Sequence, residues 1–183
     1  MRDITNRKQL KEQVRQLASY DALTHLPNRR LLHERLSQAL AASKRNGCSG
    51  ALLFLDLDNF KPLNDTHGHD VGDLLLIETY RRLQSCVRAI DTVSRFGGDE
   101  SVEHACRISE KIRVALSEIY FLTGARPAQT ARLMEHHCPV SIGVEMFFDH
   151  VKKFAKLMKS ADAAMYRVKD AGRNQIQFGD SIE

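Results

Sequence analysis

Asp56 and Asp58 stand at alternate positions where the apolar run GALLFLDL, Gly50 to Leu57, gives way to polar sequence. In a strand, alternate side chains lean to one face, so both carboxylates leave the strand end on the same side. Carboxylates so placed suit a hard cation, because Mg²⁺ takes oxygen ligands and keeps waters exchangeable for a substrate phosphate. For a lone DxD, a pair of solvated or capping aspartates is the better reading. Downstream, Gly97–Gly98–Asp99–Glu100 adds two glycines that permit positive φ and close approach of a ligand to the backbone. The two acids after them crowd negative charge at the tip of a turn, which a cation would neutralise. By itself the tetrapeptide is an ordinary hairpin turn. Joined to the strand-end aspartates, it makes a metal site the favoured reading.

The polar segment between, FKPLNDTHGHDVGD from Phe60 to Asp73, reads as a loop with further chemistry. Lys61 is a point charge for phosphate. Asn64 donates and accepts while Asp73 only accepts, a pair matching the edge of guanine, with its N1–H and N2–H donors beside the O6 acceptor. Asp73 equally suits the first turn of a helix, where the dipole favours an acid. His67 and His69 have no partner at zinc spacing and read as loop hydrogen-bonders, as do His136 and His137 before Cys138. Lys169 and Arg173 lie four apart where a helix finishes at Gly172; the dipole alone would place cations there, and a triphosphate would use them too.

These residues need elements to hold them. Leu10, Val14 and Leu17 give residues 1–20 a short helical seam, either a coiled-coil stub or a helix packed on its own domain. Asp21 and Thr24 are candidate caps before Pro27, and Leu31, Leu32, Leu36 and Leu40 form a helical stripe closed by Asn46–Gly47. Gly50 to Leu57 reads as a buried strand, Val71 to Val87 as an amphipathic helix, and Thr92 to Phe96 as a strand running into the Gly97–Gly98 turn. A helical pattern starts directly at Ser101, residues 120–138 read as irregular, and Val140 to Glu145 reads as a strand. Val151 to Ala171 reads as a long helix and Gln175 to Phe178 as a terminal strand. Strands and helices in this order indicate an α+β layer fold.

Bulk properties narrow the classes. The 183 residues suit one domain with a short appendage. A net charge of +4 without a basic run, with 7% aromatics and no Trp, argues against a nucleic-acid partner. The four cysteines form no CxxC pair, so reduced, mostly buried thiols are expected. The longest apolar stretch is too short to cross a bilayer and no signal-peptide pattern opens the chain, so a cytoplasmic location is expected.

Several segments together carry a resemblance. DALTHLPNRR, FLDLDNFKPLNDTHGHDVGD, RFGGDE, VSIGV and ADAAMYRVKDAGRN follow one another in the order seen in the GGDEF domains of bacterial diguanylate cyclases, over about residues 20–178. The resemblance implies a ferredoxin-like, palm-type α+β sandwich related to nucleotidyl cyclases, with a central, mostly antiparallel sheet flanked by helices. It implies condensation of two GTP into cyclic di-GMP with release of pyrophosphate, in a homodimer whose two domains face one another. Carried over by position, Asp56, the Leu57 carbonyl and Glu100 resemble Mg²⁺ (or Mn²⁺) ligands, and Asp99 and Glu100 the catalytic acids. Asn64 and Asp73 resemble guanine readers; Lys61, Lys169 and Arg173 resemble triphosphate contacts. Arg88 and Asp91 form the RxxD that in the family marks an inhibitory cyclic di-GMP site, where the bland alternative is a surface ion pair. The N-terminal RDITNRKQLKEQV resembles the exit helix of a PAS sensor, so residues 1–20 are expected to be a signalling helix and 21–183 the GGDEF domain.

One departure bears on activity. Family members continue the signature with Phe and a hydrophobic strand, whereas here Glu100 is followed by SVEHACRISEK. That strand lies beside the one bearing Asp56, so its lack should leave an open edge and loosen Glu100. The alternative to a cyclase is therefore a GGDEF domain that binds GTP or cyclic di-GMP without turnover.

Overall fold

A computed structural model describes residues 19–47, 49–87, 102–124, 132–148 and 154–180. The N-terminal helical seam, Arg88 and Asp91, the Thr92–Phe96 strand and the Gly97–Glu100 turn lie outside the described residues. Within them the order is α1 (Arg29–Asn46), β1 (Gly50–Leu57), α2 (Phe60–His67), α3 (His69–Cys86), α4 (Val102–Ser117), β2 (Tyr120–Gly124), β3 (Arg132–His136), β4 (Val140–Phe147), α5 (Phe154–Asp170) and β5 (Ile176–Phe178). The main sheet runs β1-β4-β5, with β1 antiparallel and β5 parallel to β4, while β2 and β3 form a separate antiparallel pair. This is an α+β fold with a small mixed sheet flanked by helices.

β4 is the axis of packing, and all of its residues are buried. Val140, Ile142, Val144 and Met146 point to one side, where they meet Cys86 of α3 and Ala105, Ile112 and Leu116 of α4. Ser141, Gly143, Glu145 and Phe147 point to the other, toward α5 and α1; Phe147 packs with Leu36 and Leu157. At Gly143 a Cβ would lie 2.1 Å from the Ala161 carbonyl oxygen and 2.4 Å from the Met165 nitrogen, so the α5 backbone rests directly on the sheet. A third cluster joins Leu63 of α2, Val71 and Leu75 of α3, and Tyr120 and Leu122 of β2. Arg82 secures that layer. Its guanidinium donates to the Ala115, Glu118 and Ile119 carbonyls at the end of α4 and lies 3.8 Å from the centre of the Tyr120 ring.

Four expectations need correction. The polar segment after β1 is helical: α2 occupies Phe60–His67, and α3 starts at His69 after Gly68. Residues 120–138 contain paired strands, since the alternation of Tyr120 and Leu122, both buried, with exposed Phe121 is a two-residue period. The cap of α1 is Asn28, whose Oδ1 accepts from the Arg30 and Leu31 amides; Asp21 instead closes a local turn with Thr24. Finally, β1 is only half-buried beyond Gly50. Its one strand partner among the described residues is β4.

Because α5 has no room over Gly143, Gly143→Val is expected to destabilise the fold by about 1–3 kcal/mol through overpacking. Urea denaturation followed by circular dichroism measures this, and an unchanged midpoint would contradict the packing described.

Candidate functional site

The end of β1 brings together two aspartates with different fates. Asp56 pairs across the strands with Ser141, and both lie on the α5 side of the sheet. Its carboxylate is 45% exposed and meets Lys169 Nζ of α5 at 2.8 Å. That contact above all lifts the Lys169 ammonium above its ordinary pKa. Lys169 also stands 5.3 Å from the centre of the Tyr166 ring.

Asp58 shares that face but is buried and committed to structure. Its carboxylate accepts from Ser141 Oγ at 2.8 and 3.0 Å and from the Asn174 backbone N–H at 3.1 Å. Its own N–H donates to the Pro139 carbonyl, while its carbonyl accepts from Cys138 Sγ at 3.0 Å. Arg173 Nε lies 3.9 Å from Asp58 Oδ1, a loose ion pair that leaves the guanidinium largely free to face solvent. Of the two strand-end acids, Asp56 is the one open to a ligand.

Arg173 and Lys169 are delivered by the end of α5. Gly172 adopts φ 109, and the Arg173 N–H closes back on the Val168 carbonyl at 2.9 Å, a six-to-one helix stop that favours glycine. The chain then stays left-handed through Arg173 (φ 66) and Asn174 (φ 48). Both cations therefore converge on the strand end that carries Asp56.

Asn64 and Asp73 sit on consecutive helices, α2 and α3. A Cβ on Gly72 would lie 1.8 Å from Asn64 Oδ1, so the amide is pressed against the backbone immediately before Asp73. Asn64 Oδ1 is buried with no hydrogen-bond partner among the described residues. Lys61 lies one turn before Asn64 on the same helix, and both Lys61 and Asp73 are exposed. His136 Nε2 is likewise buried without a partner among the described residues, and burial, with His67 and His137 nearby, pushes its pKa down. No group of three or more His, Cys, Asp or Glu among the described residues is arranged to hold a metal ion. Asp99 and Glu100, and the pair Arg88 and Asp91, lie outside those residues.

Three contributors escaped the sequence reading: Ser141, Asn174 and Arg113, whose Nη1 donates to Asn174 Oδ1 at 3.0 Å. The only sequence signal was an Asn following Gly-Arg at a helix end, a residue type tolerant of left-handed backbone.

Comparison with known proteins agrees with the fold. The family model described as "Diguanylate cyclase, GGDEF domain" matches residues 18–175. The chain belongs to the GGDEF domain family. It is 42% identical over 174 residues to the bifunctional diguanylate cyclase/cyclic di-GMP phosphodiesterase MucR of Pseudomonas aeruginosa, covering 91% of this chain and 24% of that protein. It is 33% identical over 184 residues to the probable diguanylate cyclase DgcE of Escherichia coli, covering 96% of this chain and 16% of that protein. It is 36% identical over 173 residues to the cyclic di-GMP phosphodiesterase NbdA of P. aeruginosa, covering 90% of this chain and 21% of that protein. The chain thus spans less than a quarter of the length of these relatives. Among solved structures, the coiled coil and GGDEF domain of DgcB from Caulobacter crescentus, in complex with c-di-GMP, superposes with a TM-score of 0.82 at 28% identity, covering 97% of this chain and 94% of that one. The GGDEF domain of PA1120 from P. aeruginosa superposes with a TM-score of 0.76 at 30% identity, covering 88% and 94%.

Burial raises the Cys138 thiol from its ordinary 9.0 to about 12, helped by the charges of Asp58 and Asp56. The folded state therefore favours the neutral thiol; its contribution to stability is complete below pH 9.0 and is lost as the pH rises toward 12. At pH 8, iodoacetamide is expected to modify exposed Cys106 and spare buried Cys138 in the native protein. Peptide mass mapping checks this, and prompt labelling of Cys138 would show that the strand end is open.

Proposed function

We propose that this chain is the cyclase output domain of a longer signalling protein, condensing two GTP into cyclic di-GMP. The observation that carries this reading is the arrival of two cations at the end of β1, Lys169 on the open carboxylate of Asp56 and Arg173 at 3.9 Å from Asp58. Two cations and one open acid at a strand end suit a triphosphate bound with a metal ion. In each half-reaction the 3′-hydroxyl of one GTP forms a bond to the α-phosphorus of the other. The bond to pyrophosphate breaks and the hydroxyl proton is released. Two domains facing one another would supply the two nucleotides, so the protein's contribution is positioning and charge.

In this proposal Asn64 and Asp73 read guanine. The buried, unpartnered Asn64 Oδ1 supports it: a guanine N–H would give that acceptor a donor once the amide turns outward. Lys61, Lys169 and Arg173 hold the triphosphate. The donor set fits a divalent ion at Asp56, a hard oxygen ligand that already faces a cation. It does not fit one at Asp58, whose carboxylate is engaged by Ser141 and Asn174. Asp56, the Leu57 carbonyl and Glu100 would hold Mg²⁺ or Mn²⁺, which would neutralise charge on the triphosphate. Asp99 would stand near the attacking hydroxyl. Arg88 and Asp91 would form the product site, and residues 1–20 would pass a dimerisation signal from a PAS-like sensor into the domain at 21–183. No described helix is long and apolar enough to cross a membrane.

A second reading has its own observation. β1 is half-buried, and its one strand partner among the described residues is β4. A domain so built would bind GTP or cyclic di-GMP without turnover, and one relative of this chain is named a phosphodiesterase.

The two readings separate in one experiment. The protein is incubated with GTP and Mg²⁺, and nucleotides are resolved by chromatography while GTP binding is followed by calorimetry. The cyclase reading expects cyclic di-GMP, with a loss of at least about a hundredfold in Asp56→Asn, the scale on which one lost charge stabilising a transition state acts. Binding without product would leave the sensing reading standing.

A further inference from the structure

Asn174 takes part in no ligand contact proposed above, yet it is the most connected residue of the loop that presents Arg173. Its Oδ1 accepts from Arg113 Nη1 at 3.0 Å and lies 2.9 Å from the Ser117 hydroxyl, which shares its single proton between this oxygen and the Arg113 carbonyl at 2.7 Å. Its backbone N–H donates to Asp58 Oδ2. Arg113 is itself braced by Glu110, with contacts of 2.7 and 2.8 Å. One amide therefore ties the end of α5 to two residues of α4, while the peptide beside it is tied to the end of β1.

The backbone explains why such a tether is needed. Gly172, Arg173 and Asn174 are left-handed in succession, at φ 109, 66 and 48. Glycine takes that conformation without strain and asparagine tolerates it, but arginine does not favour it. Freed of its tether, Arg173 would relax to a negative φ and its side chain would leave the end of β1, where it stands 3.9 Å from Asp58. Residues held in such conformations persist when their surroundings over-determine them, and they gather at functional sites. The tethering helix, α4, opens at Val102, just past Glu100.

We propose that Asn174 is a positioning residue for anion binding: its side-chain amide, held by Arg113 and Ser117, fixes the left-handed turn that aims Arg173 at the phosphates. The proposal rests on reading the end of β1, with Asp56, Lys169 and Arg173, as a triphosphate site. It adds a residue that touches no ligand, and it makes α4 part of the support of the phosphate contacts.

Two substitutions separate the amide from the backbone. Asn174→Gly keeps the left-handed turn accessible but removes the acceptor; Asn174→Asp keeps both the acceptor and tolerance of the turn. Calorimetric titration with inorganic tripolyphosphate, GTP and GMP, all with Mg²⁺, reads the effect. Asn174→Gly should weaken tripolyphosphate and GTP by about tenfold, the scale of one misplaced charge-assisted hydrogen bond, and leave GMP unchanged. Asn174→Asp should restore most of the loss. Arg173→Gln should weaken both ligands in the parent protein and add little in the Asn174→Gly background, because the two residues act through one contact. Wild-type affinity for tripolyphosphate in Asn174→Gly, additive losses in the double variant, or equal weakening of GTP and GMP would each overturn the proposal. A parent protein that binds GTP no better than ATP would instead sink the guanine reading, with tripolyphosphate alone still deciding the role of Asn174.

Discussion

The buried carboxylate of Asp58 is the interaction on which the site depends. A carboxylate removed from water is costly unless its lone pairs are filled, and here they are filled from two directions. Ser141 supplies a hydroxyl from β4, and Asn174 supplies a backbone N–H from the loop after α5. One side chain thereby joins three segments distant in sequence. It also fixes the geometry of its neighbour: with Asp58 engaged inward, Asp56 is the acid left facing outward, at the point where Lys169 arrives.

That arrangement requires β4 to serve two layers at once. Its even residues complete the apolar cluster under α3 and α4, and its odd residues lie under α5. Gly143 lets α5 sit on the sheet, which brings the helix end near the end of β1. Were α5 held farther out by a side chain there, Lys169 would stand off from Asp56. The packing of one glycine and the pairing of two surface charges are thus parts of one geometry, although the pair itself, half in solvent, contributes little to stability.

The fold class was largely legible in the sequence, because hydrophobic period is a local property. Gly50–Leu57 was readable as a strand to its last residue, and the stripe of α1 with its Asn46–Gly47 stop was equally clear. Where the reading failed, the signal was weak or short. The polar stretch Phe60–His67 carries one fully buried apolar residue, Leu63, too little for a visible helical stripe. The pair β2–β3 is exposed on one face at Phe121 and Leu133, and its alternation spans only five residues in each strand. The half-burial of β1, whose one strand partner among the described residues is β4, is a matter of tertiary packing, and no pattern within the strand itself could show it.

The sequence by itself determined the family, since acids, amides and cations in a fixed order are properties of the chain. It could not assign them their tasks. Asp56 and Asp58 are alike in type, face and position; one is open and the other buried because partners 83 and 116 residues away close on Asp58 alone. Asn174 was invisible as a contributor for the same reason, as its meaning lies in Arg113 and Ser117 of a distant helix. Hydrogen-bond partners across such separations exist only once the layers have packed, and it is those partners that divide the site into the residues that hold and the residues that face the ligand.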